Sequence, residues 1–158
     1  MELCFSSADF GQLVYGKPTF SSKHNRFLDE FELLYEVPNC VGQGYIRQLE
    51  LHPGVELEIW NYEYHDDLTI KAPVHDHWVQ FLLLSSGFIH HNQVYPTLGG
   101  NCSYLSGSGI SPSCVAKFQK TQRFTGINVE IKPELLELFF PTDLGQSPNL
   151  KLFVKDNH

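Results

Sequence analysis

Long apolar runs are missing from this sequence, and so is any targeting segment at its start. The longest uninterrupted apolar run is Phe81 to Leu84, whereas a helix that spans a bilayer needs about 20 apolar residues. Met1 to Cys4 contain neither a basic segment nor a long apolar core. We therefore expect no signal peptide and no membrane partner, and we expect the protein to be cytoplasmic.

Positive charge is also scarce. The 11 Lys and Arg residues are outnumbered by 18 Asp and Glu residues, which gives a formal net charge of -7. No run of basic residues interrupts this balance. Because an acidic domain repels phosphate backbones, the charge predicts that this chain makes no direct contact with nucleic acid.

Cysteine is the third scarce component, and its spacing carries no motif. The four residues form no CxxC pattern, which excludes the common zinc and redox motifs and gives no sign of a disulfide framework. Buried free thiols in a reducing cytoplasm are the simplest interpretation. The four are Cys4, Cys40, Cys102 and Cys114.

Apolar and aromatic side chains are plentiful, and turns separate them at short intervals. Hydrophobic residues make up 42% and charged residues 18%, as in a globular protein rather than a disordered one. A chain of 158 residues favours one domain over residues 1–158. Turn signals recur at Pro53-Gly54, at Ser86-Gly87 and within 106–109. Short segments between frequent turns predict an all-β sandwich or barrel.

Alternating segments place the barrel within residues 31–131. In 55–62, aliphatic residues occupy one face, which we interpret as sandwich core. Trp60 and Tyr62 share the other face with two glutamates. Core packing is the commoner role of such rings, and the alternative is a pocket for an aromatic ligand. Residues 31–37 also alternate, and we interpret them as a strand although their composition suits a helix.

The two ends of the chain have different signals. We treat residues 1–30 as an N-terminal extension. Pro133 suits the first position of a helix, Glu134 complements the positive end of the helix, and Pro141 ends it. We therefore predict a short helix over 133–140, followed by a polar tail or the start of a linker over 142–158.

One short histidine motif resembles the first motif of the cupins. His75 and His77 are separated by one residue, Gln80 stands where cupins carry a glutamate, and Gly87 fits the closing turn. On a strand the two histidines point to the same face. No histidine follows between Asn92 and Asn157, and three protein ligands are usual for a catalytic metal. We expect no metal and no cofactor, with the pair serving as pocket or surface residues or as contacts to an organic ligand.

Most of residues 42–155 also resembles the N-terminal domain of AraC-type regulators of the siderophore-responsive, pyochelin-regulator kind. The segments that carry this resemblance are 42–47, 51–57, 66–68, 107–110, 122–124, 129–136 and 145–148. The resemblance implies a cupin-like double-stranded β-helix, a jelly-roll barrel, that binds an effector. It also implies a linker and a helix-turn-helix domain, which is absent from this chain.

Three functions fit these features of the sequence. The first is a small-molecule-sensing regulatory domain whose effector is a siderophore or an aromatic metabolite, with a homodimer as an option. The second is a metal-dependent cupin enzyme, a dioxygenase or isomerase, that uses His75 and His77. The third is a sugar-binding, lectin-like module. The missing third histidine favours the sensor, and the candidate ligand-binding residues are Trp60, Tyr62, His75, His77 and Gln80.

The charge balance generates a prediction about DNA. The purified chain should not retard a promoter fragment in a gel, even at low salt, where nonspecific attraction between protein and DNA is greatest. A retarded band that disappears as salt is raised would contradict this expectation.

Overall fold

The computed structural model describes residues 2–18, 32–92 and 95–136. Most of these residues lie in short strands, with the helix α1 at Ser7–Tyr15 and a 3-10 turn at Pro133–Leu135. The strands are β1 (Glu2–Ser6), β2 (Glu32–Glu36), β3 (Gly42–His52), β4 (Val55–Tyr64), β5 (Asp67–Ala72), β6 (His75–His77), β7 (Val79–Ser86), β8 (Phe88–His91), β9 (Leu98–Gly99), β10 (Ser103–Ser106), β11 (Gly109–Ser111), β12 (Cys114–Phe118) and β13 (Arg123–Ile131).

Two sheets and a short ribbon make up the barrel. The six-stranded sheet has the order β10-β7-β13-β4-β3-β2, and the five-stranded sheet has the order β1-β5-β12-β8-β9. Strands β11 and β6 form a separate two-stranded ribbon. Among the strands that the structure describes, all pairs are antiparallel except β1 with β5. This is an all-β, jelly-roll architecture of the cupin-like kind, which confirms the predicted fold class.

Aromatic rings fill the space between the two large sheets. Phe124 on β13 has no exposed surface, and its ring stacks on that of Tyr62 with centroids 5.4 Å apart. From the opposite sheet, Phe118 approaches Phe124 edge-on at 5.5 Å, and Leu68 is 1% exposed. Offset and edge-on contacts of this kind stabilise aromatic pairs beyond the area that they bury.

The prediction of which face of residues 55–62 is core is confirmed for Val55, which is buried, and wrong for Leu57 and Ile59. The principal core lies behind the face of Tyr62, whereas Leu57 and Ile59 stay partly exposed on the outside of the six-stranded sheet. Both faces of this strand carry apolar side chains, so the alternation alone does not say which face has partners. The aromatic face became the inner one because the Phe118 ring of the opposite sheet packs edge-on against Tyr64 of this strand and against Phe124 of the neighbouring strand.

A second, smaller cluster closes the base of the six-stranded sheet. Val55, Val79, Ile131 and Leu136 are buried together. The predicted helix begins at Pro133 as a 3-10 turn, whose first position suits proline. Residues 137–140 of that helix and the tail 142–158 lie outside the described residues.

Residues 2–18, which belong to the predicted N-terminal extension, contain a strand and a helix. Strand β1 pairs in parallel with β5, and Ser6 caps α1 by accepting a hydrogen bond from the Asp9 backbone N–H at 3.1 Å. Val14 of α1 is 3% exposed and belongs to the aromatic core. Neither helix in the described ranges is long and apolar enough to cross a membrane. The strand predicted over 31–37 is found as β2.

The packing of Phe124 generates a stability prediction. Phe124→Ala should lower the free energy of unfolding by about 3–5 kcal/mol, because it removes a fully buried ring and leaves a cavity between the sheets. Phe88→Ala is the matched control. Its ring is 44% exposed, so its loss should cost about 1 kcal/mol or less. Urea unfolding measures both, and equal losses would show that the rings of Tyr62 and Phe124 are not the main core.

Candidate functional site

A cavity of about 310 Å³ opens where the two sheets and the ribbon meet, and we call it the imidazole cavity. Its volume lies at the lower end of the range for small-molecule sites, which are mainly apolar with a few placed polar groups. It is lined by His75, His77, Gln80, Leu82, His91, Tyr95, Pro96, Leu98, Tyr104, Leu105, Ser106, Ser111 and Cys114.

The short ribbon aims His75 and His77 into this cavity. In its register, His75 is opposite Ser111 and His77 is opposite Gly109. The centroids of the two imidazole rings are 6.3 Å apart. Because side chains alternate along β6, both rings lie on one face, as the sequence predicts.

A third imidazole reaches the cavity from the five-stranded sheet. His90 and His91 are neighbours on β8, so only one of them can face inward, and that residue is His91. Burial lowers the pKa of His91, against the opposing effect of its hydrogen bond to the Pro96 carbonyl. His91 is therefore neutral at pH 7.

Backbone carbonyls fix the tautomer of all three rings. Nδ1 of His75, His77 and His91 lies 2.8, 2.9 and 3.2 Å from the carbonyl oxygens of Pro73, Trp78 and Pro96, respectively. A carbonyl oxygen only accepts, so each Nδ1 carries the proton and donates. In the neutral ring Nε2 then holds a lone pair.

Hydroxyl and thiol groups complete the lining, and sequence reasoning missed them. Tyr95 and Ser111 hydrogen-bond to each other, and the Tyr104 hydroxyl donates to the Gly99 carbonyl at 2.9 Å. Burial raises the pKa of Cys114, which keeps it a thiol. Tyr95 lies in a connection between strands and Tyr104 on a four-residue strand, so no periodic pattern indicated them.

The four cysteines are less buried than the sequence predicts. They are free, as expected, but Cys4, Cys40 and Cys102 are exposed and Cys114 is only partly buried. The expectation that they are buried is therefore wrong.

A second cavity of about 540 Å³ adjoins the first, and we call it the acidic cavity. Gln80 and Leu82 line both, so the two cavities share a wall. The acidic cavity is lined by Tyr15, Tyr35, Gln48, Glu58, Trp60, Gln80, Leu82, Asn128 and Glu130.

Carboxylates crowd the wall of the acidic cavity. Glu130 on β13 lies directly opposite Glu56 on β4, and like charges in that position destabilise a sheet. Glu58 accepts a hydrogen bond from the Trp60 indole N–H at 3.0 Å. Burial raises the pKa of Glu58, the indole hydrogen bond opposes this shift and the charge of Glu130 adds to it.

The five predicted ligand-binding residues separate into four groups. His75 and His77 line the imidazole cavity, Trp60 lines the acidic cavity, and Gln80 lines both. Tyr62 lines neither cavity. It is 5% exposed and its ring is stacked on Phe124 in the core, which is the core-packing role weighed for this aromatic face.

The three imidazoles share a cavity without forming a metal-binding group. Within residues 2–18, 32–92 and 95–136, no set of three or more histidine, cysteine, aspartate or glutamate side chains is arranged to hold a metal ion.

The chain is similar to a known protein family over most of its length. The profile of the regulatory protein PchR N-terminal domain covers residues 42–158. The chain belongs to this family. The match confirms the resemblance seen over 42–155, and it makes the chain a domain of the regulatory kind. No curated protein matches the chain.

The two cavities differ in how much of their lining lies within the residues that the PchR family matches. Every described residue that lines the imidazole cavity lies within 42–158. The acidic cavity also takes Tyr15 from α1 and Tyr35 from β2, which precede the match. In this PchR-type domain the imidazole cavity therefore belongs to the matched region, while the acidic cavity is completed by the segment before it.

The raised pKa of Glu58 generates a prediction about pH. A carboxyl whose pKa is raised by folding binds more protons in the folded state, so stability falls as pH rises from the ordinary glutamate value of 4.5 through the raised pKa. Glu58→Gln keeps an acceptor for Trp60 and removes the charge. It should raise the melting temperature of the PchR-type domain at pH 7 and have little effect near pH 4.

The control for this experiment is Glu36→Gln, on an exposed position of β2 opposite Tyr45. It should leave the melting temperature nearly unchanged at both pH values. If Glu58→Gln instead destabilises the domain at pH 7, the Glu58 charge is compensated in the folded protein.

Proposed function

We propose that this PchR-type domain is the small-molecule sensor of an AraC-type transcription regulator. In this proposal the effector, a siderophore or an aromatic metabolite, binds in the imidazole cavity. The domain acts as a cytoplasmic binding module rather than an enzyme, and DNA is contacted by another domain of the regulator.

One observation carries the proposal, namely a cavity of about 310 Å³ inside a domain of the regulatory family. The apolar part of its lining includes Leu82, Leu98 and Leu105, and Tyr95 and Tyr104 add rings with polar groups. Such a lining suits a molecule with an apolar, ring-containing body, because burial of apolar surface supplies most of the affinity and the few polar groups orient the ligand.

The position of the cavity offers a way for ligand binding to change how the ribbon and the two sheets are arranged. Its walls come from the six-stranded sheet through Gln80, from the five-stranded sheet through His91, and from the ribbon through His77. A ligand that contacts all three would tie them together. Binding would then favour one arrangement of the ribbon and sheets, which is the differential affinity that a switch between two states requires.

The test is a thermal-shift screen of siderophores and small aromatic metabolites against the purified chain. A ligand at a hundredfold excess over its Kd stabilises the folded state by about 2.7 kcal/mol, which is seen as a rise in melting temperature. His77→Ala should abolish the rise for a genuine hit and leave the unliganded melting temperature nearly unchanged. Trp60→Ala tests whether the same ligand extends into the acidic cavity.

The matched control is His52→Ala, at the exposed end of β3, which should leave every ligand-induced shift intact. Hits whose shifts survive His77→Ala would place the effector outside the imidazole cavity. A screen in which no compound raises the melting temperature would contradict the sensor function for these classes of ligand.

A further inference from the structure

Apart from one hydroxyl hydrogen of the Tyr95–Ser111 pair and the Cys114 thiol, the hydrogen-bonding capacity left open among the described residues of the imidazole cavity consists of acceptors. The ring Nδ1 atoms of His75, His77 and His91 are already used as donors to backbone carbonyls. Their Nε2 atoms make no hydrogen bond in the part of the chain that the structure describes. Because Nδ1 of each ring is the donor, the neutral form of these imidazoles would present three Nε2 lone pairs to one small volume.

The shared wall adds a fourth acceptor. The Gln80 amide nitrogen donates to Oε1 of Glu130 at 2.8 Å. Since a carboxylate only accepts, this contact fixes the orientation of the amide. The oxygen of Gln80 has no hydrogen bond among the described residues. The Ser106 hydroxyl likewise donates to the Gly107 carbonyl, at 3.4 Å, and keeps its lone pairs.

The charge next to the imidazole cavity is negative. No Lys or Arg lines either cavity in the described ranges. The carboxylates of Glu58 and Glu130 lie just beyond the shared wall. An anion that enters the imidazole cavity would meet lone pairs and neighbouring negative charge, whereas a cation would be attracted by both.

The aromatic rings that line the imidazole cavity also favour a positively charged ligand. The Tyr95 ring packs edge-on to His91 with centroids 5.6 Å apart, and Tyr104 lines the same cavity. The face of an aromatic ring is electron-rich and attracts a positively charged group within about 6 Å. The rings therefore suit a ligand that is both aromatic and cationic.

From these observations we infer that the effector is a small aromatic molecule that carries hydrogen-bond donors and a positive charge, of which a hydroxylated arylalkylamine is the simplest form. The inference rests on the proposed function, because it assigns a chemical class to the ligand of the same cavity. The phenol and ammonium groups donate to Nε2 of the histidines and to the Gln80 oxygen, and the ring lies among Leu82, Leu98 and the tyrosines.

Two probes of matched shape test the sign of the charge. Tyramine and 4-hydroxyphenylacetate share the phenol ring and the length of the side chain, and one ends in an ammonium group and the other in a carboxylate. Each is titrated into the chain at pH 7.5 while long-range ¹H–¹⁵N spectra follow the histidine rings. Tyramine should move the Nε2 resonances of His75, His77 and His91, with an affinity at least about tenfold higher than that of 4-hydroxyphenylacetate.

A pair of asparagine variants tests the role of the acceptor nitrogen. Asparagine can retain a donor near the position of Nδ1, and it has no atom at the position of Nε2. His77→Asn should therefore keep the bond to the Trp78 carbonyl and weaken tyramine binding by about two- to tenfold, as expected for one lost hydrogen bond. His52→Asn is the control, because Nδ1 of His52 also donates to the carbonyl of the next residue, at 3.0 Å, and lies outside both cavities.

The outcomes separate this inference from the proposed function. Preference for 4-hydroxyphenylacetate, equal binding of the two probes, or no change at the histidine rings with either probe overturns the inference. An anionic or neutral hit in the thermal-shift screen that depends on His77 overturns it as well, while it leaves the sensor function in place. Equal effects of His77→Asn and His52→Asn show that the ring nitrogens do not contact the ligand.

Discussion

The stacking of Tyr62 on Phe124 is the contact on which the rest of this structure depends. The two rings come from paired strands of the six-stranded sheet, and Phe118 of the opposite sheet packs edge-on against one of them. This contact fixes which face of β4 and β13 is inside. Through the edge-on contact with Phe118, the pair also joins the two sheets at one end of the barrel, so that the interior at the other end need not be filled by side chains.

The inner faces of β4 and β13 change character along their length. Starting from the rings of Tyr62 and Phe124, the next inward residues are Trp60 and Gly126, and then Glu58 and Asn128. Burial of apolar rings stabilises the first pair, whereas the carboxylate of Glu58 is held at a raised pKa by partial burial. The residues at the start of the cavities therefore stabilise the fold less than the rings do, as is common at binding sites.

The two cavities divide the recognition of a ligand between them. The imidazole cavity supplies rings, aliphatic side chains and oriented lone pairs, while the acidic cavity beyond Gln80 supplies negative charge. Orientation of the imidazoles does not depend on a ligand, because backbone carbonyls already hold Nδ1 of each ring. Preorganisation of this kind lowers the entropy that binding must otherwise remove.

The sequence by itself determined the local elements and the family. Alternation predicted the strand at 55–62, spacing placed His75 and His77 on one face, and Pro133 marked the start of the final turn. Those features depend on neighbours in the chain. The tertiary structure decided the inner face of β4, the core position of Tyr62, and the meeting of His91 with the ribbon. These depend on which side chains approach from other strands, and a periodic pattern carries no information about partners that are distant in sequence.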